Sequence, residues 1–248
     1  MCLEQARAWI RNSCSITVLT GAGISAESGI PTFRSTAGLW KQFRPEDLAT
    51  PQAFARDPKL VWAWYDWRRG LIDRAKPNAG HIALVDLERR VPRFTLITQN
   101  VDGLHRKAGS ESVLEVHGNI WNLRCTRCER SWFDRSVPLR LPPSCECGAL
   151  ARPGVVWFGE GLPRDIWLAA ERATVACDVF LVVGTSAVVY PAAGLVDLAQ
   201  SSGAKVIEIN VEKTAISRTV DCALIGLAGE NLPKLLDPAA ESAEHRGI

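Results

Sequence analysis

Two rhythms of apolar and polar positions alternate along the chain. Short, almost uniformly apolar runs recur at Ile16–Thr20, Arg93–Thr98, Ser112–Val116, Val179–Val183, Lys205–Ile209 and Ala223–Leu227. Runs of that length, rich in β-branched residues, predict strands buried on both faces, as in a parallel sheet. Between them lie stretches with helical spacing: Met1 to Ser13, residues 51–75, Pro77 to Arg90, residues 164–175, and Pro191 to Ser201. Strands alternating with helices predict an α/β fold with a doubly wound parallel sheet. Residues 120–154 break the rhythm and read as a small insert between strands. Val156 to Phe158 reads as an extended edge that a peptide can join by strand addition. Residues 237–248 are polar and read as a frayed end.

Composition narrows the class. The 248 residues hold one large domain, or a large and a small one. A hydrophobic share of 47% with 23% charged residues is that of a globular protein. A net charge of +2 gives no case for nucleic-acid binding or for attraction to a membrane surface. No apolar run approaches the ~18 residues of a membrane span. The first residues read as a short amphipathic helix with no room for a secretory signal, so the expectation is a cytoplasmic monomer.

Cysteine usage changes the picture further. Four of the eight cysteines cluster as Cys125-x-x-Cys128 and Cys145-x-Cys147 around a 16-residue insert. That spacing fits a zinc ribbon in which four thiolates close a structural site with no open position for water. Cys-x-Cys is tighter than the usual knuckle. Cys2, Cys14, Cys177 and Cys222 are scattered and, in a reducing compartment, read as small buried or terminal thiols.

The strongest chemical signal follows the first strand. Gly21, Gly23 and Ala26 fill the small-residue slots of a dinucleotide fingerprint, which needs a tight turn and close backbone approach to a pyrophosphate. The usual acidic residue on a second strand is missing; the chain runs instead into Gly29-Ile30-Pro31-Thr32-Phe33-Arg34, a loop able to close over a ligand. A dinucleotide site is expected, without hydride transfer being required. Polar residues beyond strand ends are further candidates, because ligands of open α/β sheets bind there. Among the histidines, His117 at a strand end is the best placed for proton transfer, whereas His81 and His105 fall at helix starts. Trp62, Trp64 and Trp67 crowd one helix, as core or pocket wall. On that helix Tyr65 lies three residues from Arg68 and four from Arg69. A phenol and a guanidinium on one face suit a carboxylate, but helical geometry does not choose between the arginines, and both also read as solvated charges.

Taken in order, Gly-Ala-Gly-Ile-Ser at 21–25, Gly-Ile-Pro-Thr-Phe-Arg at 29–34, Thr-Gln-Asn-Val-Asp at 98–102, His117-Gly118, the four cysteines, Val-Val-Trp-Phe-Gly-Glu at 155–160 and Gly-Thr-Ser at 184–186 resemble a sirtuin over nearly the whole chain. The resemblance implies an NAD-dependent protein-lysine deacylase. It would have a Rossmann-type domain (1–38, 76–118 and 155–248) and a smaller zinc-ribbon plus helical domain (39–75 and 119–154). It implies that Gly21, Ala22 and Gly23 hold the pyrophosphate, and that Thr32, Phe33, Arg34 and Trp40 belong to the cofactor-binding set. Gln99 would meet the nicotinamide ribose; Asn100 and Asp102 would line the nicotinamide pocket. Gly184, Thr185, Ser186, Asn210, Glu212 and Ala228 would hold the adenosine half. Val156, Phe158, Gly159 and Glu160 would pair with the substrate backbone, and zinc would sit on Cys125, Cys128, Cys145 and Cys147. The implied chemistry consumes NAD: the acyl oxygen attacks the ribose carbon as nicotinamide leaves, and His117, near the ordinary imidazole pKa of ~6.5, is general base on the ribose hydroxyls. Tyr65-x-x-Arg68, with Ala49, is similar to the sirtuins that remove succinyl and malonyl groups, and Thr32 replaces an Asp common in other sirtuins. Deacetylation is expected to persist.

Three other readings share parts of this pattern. A zinc-containing NAD dehydrogenase would make NADH and no free nicotinamide. A sirtuin-like ADP-ribosyltransferase would leave ADP-ribose on protein. A non-enzymatic zinc-ribbon module would leave the Gly-rich loop and His117 without purpose.

Overall fold

The computed structural model describes residues 2–33 and 44–237. Its sheet is centred on β1 (Ser15–Thr20), buried at all positions. β2 (Arg93–Thr98) and β3 (Val113–Glu115) extend it to one side. β7 (Val179–Val183), β8 (Lys205–Asn210) and β9 (Cys222–Ile225) extend it to the other. The order β3-β2-β1-β7-β8-β9 is parallel throughout. Winding reverses direction between β1 and β7, so the crevice beyond Thr20 and Val183 is the topological switch point where such sheets bind ligands.

Apolar side chains from helices cover both faces. One core joins Val18, Leu96 and Leu181 to Leu84, Leu87 and Leu232; the other joins Leu19, Ile97 and Val182 to Ala170, Leu195 and Ala199. Two-sided burial is why these strands read as continuous apolar runs.

A second, antiparallel sheet of β4 (Gly118–Cys125), β5 (Ser131–Phe133) and β6 (Ala151–Val155) has the order β5-β4-β6. With helices from residues 45 to 74 it encloses a third core built on Trp62, Trp121 and Trp157. The three tryptophans of the crowded helix part company. Trp62 is fully buried and donates to the Ala151 carbonyl (2.8 Å), Trp64 walls the central cavity, and Trp67 is 44% exposed.

Several boundaries differ from the sequence reading. Residues 51–75 form two helices, Pro51–Arg56 and Pro58–Arg74. Pro58 forces the preceding residue out of helical geometry, and Asp57 turns that to use as an N-cap, accepting from the Leu60 N–H. The next helix begins at Ala79, where Asn78 and His81 cap each other's backbone, the structural role expected of His81. The helix read from Pro191 begins at Gly194.

Val156–Phe158 is not a free strand edge. β6 stops at Val155; the Val156 N–H donates to the His117 carbonyl and the Phe158 N–H to that of Ala49. Gly159, at φ 85°, completes a turn. Cys2 and Cys222 also depart from expectation. Helix Cys2–Arg11 packs on β9, bringing their α-carbons to 5.7 Å, and the two are joined in a disulfide. Cys177 is buried as expected. Among the described residues no helix is long and apolar enough to cross a membrane.

Candidate functional site

A cavity of ≈ 530 Å³ opens at the switch point, between the parallel sheet and the small unit. Its floor is backbone. The Gly21 N–H donates to the Val183 carbonyl (3.0 Å), and the Gly23 N–H to that of Gly184 (2.7 Å). A Cβ on Gly23 would lie 2.7 Å from the Gly184 Cα, and one on Gly184 would lie 2.3 Å from the Ile24 nitrogen. The loops after β1 and β7 therefore interlock only because both are glycine. Their small residues permit close approach of backbone to backbone, which leaves Ala22, Thr185 and Ser186 facing the open crevice. A cradle too tight for a Cβ, beyond parallel strand ends, fits the pyrophosphate of a dinucleotide.

His117 stands at the cavity wall, where β3 gives way to β4. Its Nδ1 lies 3.1 Å from the Gln99 carbonyl. A carbonyl only accepts, so Nδ1 carries the proton and Nε2 keeps its lone pair. Burial pushes the imidazole pKa below 6.5, partly opposed by the Gln99 bond. This corrects the expectation of an ordinary imidazole pKa, and favours the neutral, basic form at neutral pH.

Gln99 and Asn100 line the same cavity; Asp102 does not. Asn100 Nδ2 donates to the Gly21 carbonyl (3.0 Å), tying β2 to the glycine turn. The Asp102 carboxylate is buried and committed to Ser25 Oγ (2.9 Å) and to the Leu104 N–H (2.8 Å). A left-handed Gly103 at φ 74° is the N-cap of helix Leu104–Ala108 and turns the Asp102 carboxylate back onto that helix's first N–H. Ser25, which also accepts from Asn100 (3.3 Å), closes the Gly-Ala-Gly-Ile-Ser motif but carries no site role in the sequence reading.

At the other end, the two arginines separate. Arg69 is fully buried and donates to the carbonyls of Ile120 (3.0 Å), Asp134 (2.7 Å) and Ser136 (3.1 Å), holding β4 to the loop after β5. Arg68 lines the cavity, stacked between Phe33 (4.8 Å) and Trp64 (4.9 Å). It is 6% exposed and has no hydrogen-bond partner among the described residues. Burial works against its charge, with Tyr65 and Asp102 opposing that effect, but a guanidinium stays protonated. A buried cation without a hydrogen-bonded partner is costly, and a ligand carboxylate would relieve it. Tyr65 lies beside it in the wall.

The 155–160 turn borders the same space. Val156, Phe158, Gly159 and Glu160 all line the cavity. Glu160, however, is occupied: it takes Arg152 at 2.5 and 2.8 Å and caps the Trp157 N–H at 2.9 Å. Its carboxylate holds the turn closed, and those bonds to Arg152 and Trp157 keep its pKa low against the effect of burial. Thr32, Phe33, Gly184, Asn210 and Glu212 also reach the cavity, whereas Ala228 is buried against Gly80. Arg34 and Trp40 lie outside the described residues.

The four clustered cysteines are brought together away from this cavity. Their sulfurs lie within 4.8 Å of one another, with Cys125–Cys147 at 3.5 Å and Cys128–Cys145 at 3.8 Å. A tetrahedral zinc with ~2.3 Å arms has edges of about 3.8 Å, so the four thiols fit the metal despite the tight Cys145-x-Cys147 spacing. Arg127 and Cys128 N–H groups point at the Cys125 sulfur (3.3 Å each). None of the four lines the cavity, as expected of a structural site.

A glycine-floored crevice on a doubly wound sheet, a polarised imidazole in its wall and a remote four-cysteine ribbon define a dinucleotide-binding α/β enzyme. Comparison with known proteins narrows that class. Residues 21–191 match the Sir2 family. An NAD-dependent protein deacylase of Aquifex aeolicus is 54% identical over 235 residues, covering 94% of this chain and 98% of its own length. A Sir2 homologue mutant solved with ADP-ribose superposes with a TM-score of 0.93 at 47% identity, covering 97% of this chain and 98% of its own. A Sir2 homolog–NAD complex gives 0.91 at 48%, covering 96% and 94%. This chain belongs to the Sir2 family.

Proposed function

We propose that this chain removes acyl groups from protein lysine side chains at the expense of NAD, and that it acts on succinyl- and malonyl-lysine as well as acetyl-lysine. The observation that carries the acyl preference is Arg68, a buried guanidinium with no hydrogen-bond partner among the described residues, in the wall of the cavity that also holds His117. Support for the reaction comes from the family and from the relatives' name, NAD-dependent protein deacylase.

Bound NAD supplies an electrophilic ribose carbon and the hydroxyls that accept the acyl group. The chain's own residues then divide the work. Gly21, Gly23 and Gly184 let the pyrophosphate approach backbone, and Ala22, Thr185 and Ser186 face it. Gln99 holds the His117 ring by its carbonyl, so Nε2 is the atom that takes a proton from a ribose hydroxyl. Arg68 and the Tyr65 hydroxyl receive a carboxylate on the acyl tail. Phe158 and Gly159 border the entry for the substrate chain.

One lysine peptide carrying in turn acetyl, malonyl or succinyl groups tests this reading. Nicotinamide release that requires both NAD and acylated peptide, with kcat/KM higher for the acidic groups, is expected. NADH formation, acyl removal without NAD, or inactivity on both acidic groups would overturn it.

A further inference from the structure

Glu208, in the middle of β8, is fully buried, and its register neighbours in the flanking strands are Val182 and Ala223. No Lys, Arg or His lies within ion-pairing distance of it among the described residues. A buried carboxylate without a cation is costly unless hydrogen bonds replace its water. Here both oxygens are used: Oε1 accepts from Thr214 Oγ1 and Oε2 from Ser217 Oγ, each at 2.5 Å.

The two hydroxyls pass this on to the chain. While donating their hydrogen bonds to Glu208, they accept from backbone: Ser217 Oγ from the Thr214 N–H (2.8 Å), Thr214 Oγ1 from the Ile216 N–H (3.3 Å). One carboxylate thus pins both ends of the 214–217 turn. At the other end of the loop, Asn210 Nδ2 donates to the Thr185 carbonyl (2.8 Å). The segment held between these anchors, Val211 to Thr214, lines the cavity on the side of Thr185 and Ser186. No atom of Glu208 reaches the cavity.

We infer that Glu208 is a positioning residue for the cofactor: it fixes the 211–217 loop in the shape that meets the adenosine half of NAD, and so sets NAD affinity without touching the acyl end. The inference rests on the NAD-dependent reading above. Both roles of the loop, wall of the cavity and partner of a buried charge, are carried by the same few residues, so loosening one loosens the other.

Titration calorimetry with NAD and steady-state kinetics test it. Glu208→Gln keeps the shape but offers one acceptor where two are needed. It is expected to raise Kd and KM for NAD about 10-fold, the scale of a lost hydrogen bond to a charged group, with kcat at saturating NAD and KM for the acyl peptide within about two-fold. Ser217→Ala, which removes the other hydroxyl on Glu208 without touching the cavity wall, should reproduce that split, and Ser217→Thr should restore most of the affinity that Ser217→Ala loses. Unchanged NAD affinity in Glu208→Gln and Ser217→Ala overturns the inference, as does a parallel drop in kcat, both affinities and thermal midpoint. If Glu208→Gln fails to fold, the Ser217 pair decides. Weakened NAD binding in the variants supports the inference even if wild type binds NAD but transfers no acyl group, a result that would overturn the deacylase reading alone.

Discussion

Trp157 donates its indole N–H to the Tyr65 hydroxyl across 2.9 Å. The phenol is thereby fixed as acceptor on one side, and its own proton is left to donate into the cavity that both residues line. Burial raises the Tyr65 pKa, against the lowering influence of Arg68 and the Trp157 bond, so the hydroxyl stays protonated at neutral pH. The indole ring is itself held by the Arg152 guanidinium, 3.4 Å from its centroid. A hydrogen-bond donor and a cation are thus set side by side before any substrate arrives.

Arg68→Met should therefore cut kcat/KM on succinyl-lysine by about 100-fold or more and on acetyl-lysine only a few-fold, because a buried substrate carboxylate would lose its partner. Tyr65→Phe should show the same ordering with a smaller loss. Kinetics on the matched peptides read this directly; equal losses on acetyl and succinyl would assign Arg68 to packing.

The neighbouring arginine should behave in the opposite way. Arg69→Met strands three carbonyls beside the third core, the one built on Trp62, Trp121 and Trp157, a loss on the order of 3 kcal/mol. Urea unfolding should show it, while the ratio of succinyl to acetyl activity in the surviving folded protein stays near wild type.

The acid limb of the kcat/KM profile should lie below pH 6.5. In the proposed reaction His117 works as a neutral base, and it is disabled as pH falls through a pKa that burial has depressed. A limb centred at or above 6.5 would point to another base, and His117→Ala should abolish turnover at every pH.

Two other imidazoles should make stability fall in acid. His81 and His105 pack with tilted rings, centroids 4.8 Å apart, both buried; burial takes His81 to about 4 and His105 well below its ordinary value. Between roughly pH 6.5 and 4 the unfolded chain binds protons that the folded chain refuses, so stability rises with pH across that window. The slope is at most about 1.4 kcal/mol per pH unit for each group. Denaturant midpoints from pH 4.5 to 7 measure the slope, and His81→Gln should flatten it.

Metal analysis should return about one zinc per chain. Chelation should free the thiols of Cys125, Cys128, Cys145 and Cys147 and lower activity, because β6 runs from that ribbon into the 155–160 turn. The parallel sheet should keep its structure. Chelation without any new reactive thiols would refute the ribbon as a metal site.

The sequence spoke clearly wherever one residue type has one physical use. Strands buried on both faces are continuous apolar runs; glycines in an interlocked turn admit no substitute; paired cysteines at knuckle spacing have few other purposes. It was silent where the outcome depends on a partner far along the chain. Nothing local separates Arg68 from Arg69, because the choice is made by the Ile120, Asp134 and Ser136 carbonyls. Glu160 resembles a surface acid until Arg152 is placed beside it, and Glu208 looks like an ordinary polar alternation in a strand. Reading 51–75 as a single helical stretch passes over a signal that is present: Pro58 disfavours helix at the residue before it, and Asp57 is a recognisable cap.

The two ends of the cavity are made of different stuff. Where Gly23 meets Gly184 the surface is main chain, and even a methyl group would collide with it; around Arg68 it is side chain, the Phe33 and Trp64 rings and one guanidinium. Tolerance to substitution is therefore lopsided. Exchanging a side chain at the Arg68 end leaves the seam of the sheet untouched, while any residue larger than glycine at the other end must push two strand loops apart.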